Sequence, residues 1–100
     1  MKTFDGLAAL IERFGDEDEQ GWILLEERRS LADPDALIAG RFILADDEDE
    51  EEELLRIYPS FLEIHTFVAV VETEREASRT GVEDIAAGCL HYLEMDAFRE

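Results

Sequence analysis

The sequence predicts a small α+β domain, a short sheet packed by helices, and three observations carry that expectation. At 100 residues with an apolar share of 46%, the chain can bury one ordinary hydrophobic core. Short apolar runs bounded by Gly, Pro and charged residues alternate with longer segments of helical period. The order runs helix, then strands, then helices, the pattern of an α+β arrangement and not of repeated βαβ units. No repeat and no Ser/Gly-rich linker interrupts it, so residues 1–100 read as a single domain.

The elements follow in order. Phe4, Leu7, Ile11 and Phe14 share one face at helical spacing, so a helix is expected over Phe4–Phe14, with Thr3 as N-cap and Gly15 as its stop. Trp22-Ile23-Leu24-Leu25 is too short for a helix and reads as a buried strand. Asp33-Pro34 opens a short helix over Pro34–Ala39, since proline suits a first helical position, and Gly40 ends it. Arg41–Ala45 is a second strand. Glu50–Ile57 is expected to be helical with its negative charge at the favourable N-terminal end, closed by Tyr58-Pro59. Ser60–Ile64 makes a third strand. The valines after Thr66 favour a strand, yet Phe67, Val70 and Val71 have helical spacing, and a helix over Phe67–Ala77 is preferred. Thr80-Gly81-Val82-Glu83 has the form of a capping box and opens the last helix, Val82–Asp96, with Ile85, Cys89 and Tyr92 or Leu93 as its apolar stripe.

Charge is the outstanding chemical feature. Asp and Glu number 27 against nine Lys and Arg, a formal net charge of −18. Solubility of a small domain requires a net charge of only about 2 to 8 in magnitude, and the excess destabilises the compact state by self-repulsion. Such a field repels nucleic acid and anionic membrane and attracts a basic partner. A proteome that is acidic throughout is the alternative source of the same composition. The single cysteine, Cys89, excludes an intrachain disulfide and points to a reducing compartment. Met1-Lys2-Thr3 leads into no apolar signal region, and no apolar run approaches about 18 residues, so a cytoplasmic location is expected.

Catalytic chemistry finds little support. The chain contains no G-x-S-x-G, no Gly-rich phosphate loop and no H-E-x-x-H. Cys89 and His91 are two apart, which on a helix turns them away from one another, so a buried cysteine beside a surface histidine is expected. His65 stands alone beside Thr66. Asp46 to Glu53 is an unbroken acidic run, but it lacks the alternating ligands and turn glycine of a calcium loop. No enzyme activity, cofactor or specific metal site is expected.

Partner binding remains. The acidic tracts Asp16–Glu19 and Asp46–Glu53 flank the first two strands, and a sheet that joins those ends would create one negative rim. Its expected contact residues are Asp16, Glu17, Asp18, Asp46, Asp47, Glu48 and Asp49. Trp22, Phe42, Phe61 and Tyr92 are also candidate anchors for such an interface, but each is expected mainly as core, because a domain this small requires large residues to fill it. Tyr58, beside Pro59, is the aromatic expected to be exposed and to anchor a partner.

The segment Tyr92-Leu93-Glu94-Met95-Asp96-Ala97-Phe98 resembles the closing Tyr-(two or three residues)-Asp-Ala-Phe helix of small bacterial immunity proteins encoded beside polymorphic toxins, including contact-dependent growth-inhibition and type VI effectors. Thr66-Phe67-Val68-Ala69-Val70 is similar to a Thr-Phe-x-x-Val segment that precedes that helix. Both motifs are short, and together they cover about the last third of the chain. The resemblance implies an inhibitor that binds a cognate toxin, commonly setting acidic residues against a basic nuclease. It further implies that Tyr92 and Phe98 pack into the core, and it brings no catalytic residue. Two other functions fit the composition: a nucleic-acid mimic that inhibits a DNA-binding protein, and a general acidic interaction domain.

Overall fold

The computed structural model describes residues 1–14 and 20–98 and shows an α+β fold in which helices pack on an antiparallel sheet. Its elements are β1 (Lys2–Asp5), α1 (Leu7–Phe14), β2 (Trp22–Leu25), a 3₁₀ turn (Arg28–Leu31), α2 (Pro34–Ile38), β3 (Arg41–Leu44), α3 (Glu48–Ile57), β4 (Ser60–Glu63), α4 (Ile64–Glu76) and α5 (Val82–Met95). The strands lie in the order β1-β3-β2-β4, and every pairing is antiparallel.

The first element differs from expectation. Residues 2–5 form a strand against β3, with Thr3 opposite Ile43 and Phe4 opposite Phe42, and the helix begins only at Leu7. Gly6 causes the break: its φ of 91° is strained for any residue with a Cβ, and its N–H donates to the Gly40 carbonyl at 2.8 Å. Thr3 is therefore a strand residue and caps nothing.

The other strands fall where the apolar runs lie. Side chains alternate between faces along a strand, so these runs supply two packing layers. Ile23, Leu25, Phe42 and Leu44 join Leu7, Leu10 and Phe14 of α1, Leu37 of α2, and the inner faces of α4 and α5 in the main core. Leu24 and Ile43 point the other way, where Leu54 of α3 covers them, with Trp22, Ala45 and Tyr58 packed around this smaller cluster. Phe61 sits between Phe42 and Phe67, ring centroids 5.4 and 6.2 Å away.

Asp33 caps α2 by accepting the Ala36 N–H at 2.8 Å, with Pro34 in the first turn as its fixed φ favours. The segment after Thr66 is helical, but α4 starts at Ile64, whose N–H donates to the Gly21 carbonyl at 2.8 Å. The N-cap is Glu63, without a side-chain cap bond, so Thr66 lies inside the helix. Likewise α5 is capped by Gly81 without a side-chain bond, and the expected Thr80–Glu83 box does not form. The preceding turn sets that entry: Ser78 adopts φ 64°, and the Arg79 N–H donates to the Glu74 carbonyl at 2.8 Å.

The α4–α5 contact contains a feature that local pattern did not foreshadow. Glu74 is 1% exposed, and Arg79 donates to both of its oxygens, Nε at 2.7 Å and Nη2 at 3.0 Å. Gly88 of α5 lies directly over it, and a Cβ there would approach the Glu74 carboxylate end to 3.0 Å. The same pairing raises the Arg79 pKa through its hydrogen bond to Glu74. Beyond the end of α5, Phe98 departs from what the resemblance implies. It is 42% exposed and stacks on the half-buried Tyr92 at 5.2 Å, so it covers Tyr92 from outside and is not core.

Candidate functional site

The acidic run becomes the start of a helix, two residues earlier than expected. Asp47 is the N-cap of α3, its Oδ1 accepting the Glu50 N–H at 2.8 Å, and Glu50 Oε1 accepts the Asp46 N–H at 2.9 Å. Glu48, Asp49, Glu50 and Glu51 fill the first turn, where unpaired backbone N–H groups and the helix dipole favour negative charge. Asp46 and Glu50 also hold the N-terminal amine, the latter at 2.8 Å. That contact raises the amine pKa, chiefly through the Asp46 hydrogen bond, and lowers the Asp46 pKa through the same bond.

The sheet register decides what this helix faces. β2 and β3 run antiparallel with Leu24 opposite Ile43, so the start of β2 lies beside the end of β3, where the chain enters α3. Trp22 thereby meets the first turn of α3, its N–H 3.4 Å from Glu51 Oε2. On its other side Trp22 pairs with Glu63 of β4. Trp22, Glu48, Glu51, Glu63, His65 and Gln20 line a groove of about 410 Å³. Its walls come from three separate stretches of chain, and the charged ones from two, α3 and the β4–α4 junction. Within it, the His65 ring lies 3.5 Å from the Glu63 carboxylate.

Lys2 and Arg13 line an adjoining groove of about 250 Å³ that shares Gln20, Trp22 and Glu51 with the first and adds Asp46. Arg56 reaches Glu52 on the outer face of α3, and Arg41 bridges Asp5 and Glu26.

The expected contact residues divide accordingly. Asp16, Glu17 and Asp18 lie outside the described residues. Glu48 and Asp49 are exposed and belong to the acidic surface. Asp46 and Asp47 are exposed too, but each already serves the fold, one on the N-terminal amine and one as a cap. Tyr58 is not the exposed anchor expected. It is half-buried against the Leu24, Ile43 and Leu54 cluster, and its N–H closes α3 on the Leu54 carbonyl at 2.8 Å. Proline at position 59 holds the Tyr58 backbone extended, at φ −114° and ψ 147°, but does not fix its χ angles, so the ring turns inward. Glu51 and Glu63 are the residues that sequence reasoning missed. The Asp47-x-x-Glu50 spacing signals the cap and hence the helix phase of Glu51, whereas the position of Glu63 depends on strand pairing.

Cys89 is fully buried, and burial pushes its thiol pKa up, so the sulfur stays protonated and out of contact with solvent. That is the chemistry of a core residue, not of a nucleophile. Among the described residues, no helix is long and apolar enough to cross a membrane. Comparison with protein-family models, curated proteins and solved structures found no match.

Proposed function

We propose that this protein is an immunity-type inhibitor that binds a basic bacterial toxin domain through the acidic surface at the start of α3. The observation that carries the proposal is the convergence of Glu48, Glu51 and Glu63 on the edge of Trp22. A net charge of −18 supplies long-range attraction, and this groove supplies a defined place for it to end. Unlike charges raise the association rate, and carboxylates that become desolvated against Arg or Lys slow dissociation. Binding of this kind blocks a toxin by occupying the basic surface on which its substrate would sit. The resemblance of Tyr92–Phe98 to the closing segment of immunity proteins supports the same reading through Tyr92, which packs against the core, and not through Phe98, which does not. Cytoplasmic action, where such an inhibitor protects its own cell, is part of the proposal.

The test is titration of the protein with the C-terminal domain of any large secreted protein encoded beside it, at about 0.05 M and about 0.5 M salt. Tight binding that weakens with salt, together with loss of toxin activity, is the expected result. Absence of binding to that domain would refute the proposal. Competition with DNA for many unrelated basic proteins would instead identify a nucleic-acid mimic.

A further inference from the structure

The carboxylate-lined groove does not end at Trp22. Trp22 and Glu63 also wall a second groove of about 230 Å³, whose other side is Leu62, Thr66, Tyr92, Leu93 and Asp96. Leu93 is shared with a shallow third groove, about 620 Å³, between α5 and the 3₁₀–α2 segment, where Leu31, Pro34 and Leu90 lie among Asp33, His91 and Glu94. The three grooves thus share walls, the first acidic and the other two apolar in part, with Trp22 between the first and the second. Among the described residues, six large apolar side chains are exposed; Leu93, at 41%, lines both of these grooves and Phe98 lies against Tyr92, whereas Met1, Leu55, Ile57 and Met95 line neither. Scattered exposed apolar residues are ordinary, so the weight rests on Leu93 and Tyr92, which adjoin a charged groove.

Charge selects the occupant. A second copy of this chain would bring −18 against −18, and an anionic membrane or nucleic acid would meet the same repulsion. A basic protein segment is attracted by the first groove and, if it carries large apolar side chains beside its Lys or Arg residues, fills the second. The geometry points to a two-part docking surface in which a partner's Lys or Arg enters between Glu48, Glu51 and Glu63 while an adjacent apolar side chain packs on Trp22, Tyr92 and Leu93. The choice of a basic partner rests on the reading above, and the apolar half goes beyond it. Trp22 takes the anchoring place that Tyr58 cannot, because an aromatic at the boundary of charged and apolar contacts serves both.

Two synthetic peptides of equal positive charge separate the two halves. One alternates Lys with Leu and Phe, and the other alternates Lys with Ser. Each is titrated into isotope-labelled protein while amide, methyl and Trp22 indole resonances are followed. The Leu/Phe peptide is expected to bind about tenfold tighter and to shift the Leu93 methyls and the Trp22 indole N–H. The Ser peptide should shift only the residues around Glu48, Glu51 and Glu63. Leu93→Ser, an uncharged change at an exposed site, should remove the tenfold advantage and leave the Ser peptide's affinity unchanged; Phe98→Ser should reduce the advantage in part. Equal affinity of the two peptides, shifts elsewhere on the surface, or indifference to Leu93→Ser would each overturn the two-part surface. Failure of the neighbouring toxin domain to bind would leave this outcome intact, so the two proposals fall separately.

Discussion

Glu74 and the first turn of α3 present the same carboxylate group in opposite surroundings. Glu74 is 1% exposed, held by two hydrogen bonds from Arg79 and roofed by Gly88. Glu48 and Asp49 stand in solvent at the positive end of a helix dipole, among like charges. Burial makes the first a structural element, since a carboxylate taken out of water is tolerated only with its donors in place. Exposure makes the second nearly neutral for folding: the dipole favours it, mutual repulsion opposes it, and what remains is a field directed outward. In a chain with 27 acidic residues, composition alone does not separate these uses. Position in the fold does.

The largest expected effect lies at the buried site. Arg79→Ala removes the two hydrogen bonds that Arg79 donates to Glu74 and should destabilise the fold more than any other change named here, measured by urea unfolding. A loss below about 1 kcal/mol would show that solvent already reaches the pair.

Gly88→Ala comes next. Alanine favours the helix by up to about 1 kcal/mol, but its Cβ meets a carboxylate clamped in place. A net loss of about 1 kcal/mol is expected, from an overpacking cost of about 2. In a Glu74→Ala background the same substitution should become stabilising, and a double-mutant cycle reads the difference directly.

Within the acidic tract, Asp47→Ala should cost about 1 kcal/mol through the lost cap, whereas Glu48→Gln with Asp49→Asn and Glu53→Gln should stay within about 0.5 kcal/mol of the parent. Added salt stabilises the parent by screening, and this triple variant should gain less from it.

The smallest effect is at the N-terminal amine. Its pKa is raised and that of Asp46 lowered. Their contact therefore contributes in the window between the two, fading as pH falls through the lowered Asp46 value or rises through the raised amine value. Tm followed above pH 8.0, the amine's ordinary value, should fall slightly more in the parent than in Asp46→Asn. Parallel profiles would place the amine elsewhere in solution.

The contrast also explains what the sequence made readable. β2, β3, β4, α2 and α5 emerge from apolar runs and Gly or Pro boundaries, because those signals act within a few residues. β1 was hidden because Phe4 continues the helical stripe of Leu7, Ile11 and Phe14, while its partner is distant, Thr3 against Ile43. Gly6 was the local cue, and its weight comes from a φ that only the folded chain displays. The Glu74–Arg79 pair and the approach of Glu63 to Trp22 depend on helix and strand packing, so neither follows from local spacing. Tyr58 erred in the other direction: a loop position beside proline suggested exposure, and the outer face of the sheet supplied a surface for the ring to cover.

Association kinetics bear most directly on the proposed role of the α3 groove. With the basic toxin domain of the proposal as ligand, Glu48→Gln, Glu51→Gln and Glu63→Gln combined should slow association about tenfold and flatten its dependence on salt, with unfolding free energy nearly unchanged. An association rate and salt dependence equal to those of the parent would show that the partner is drawn to another face.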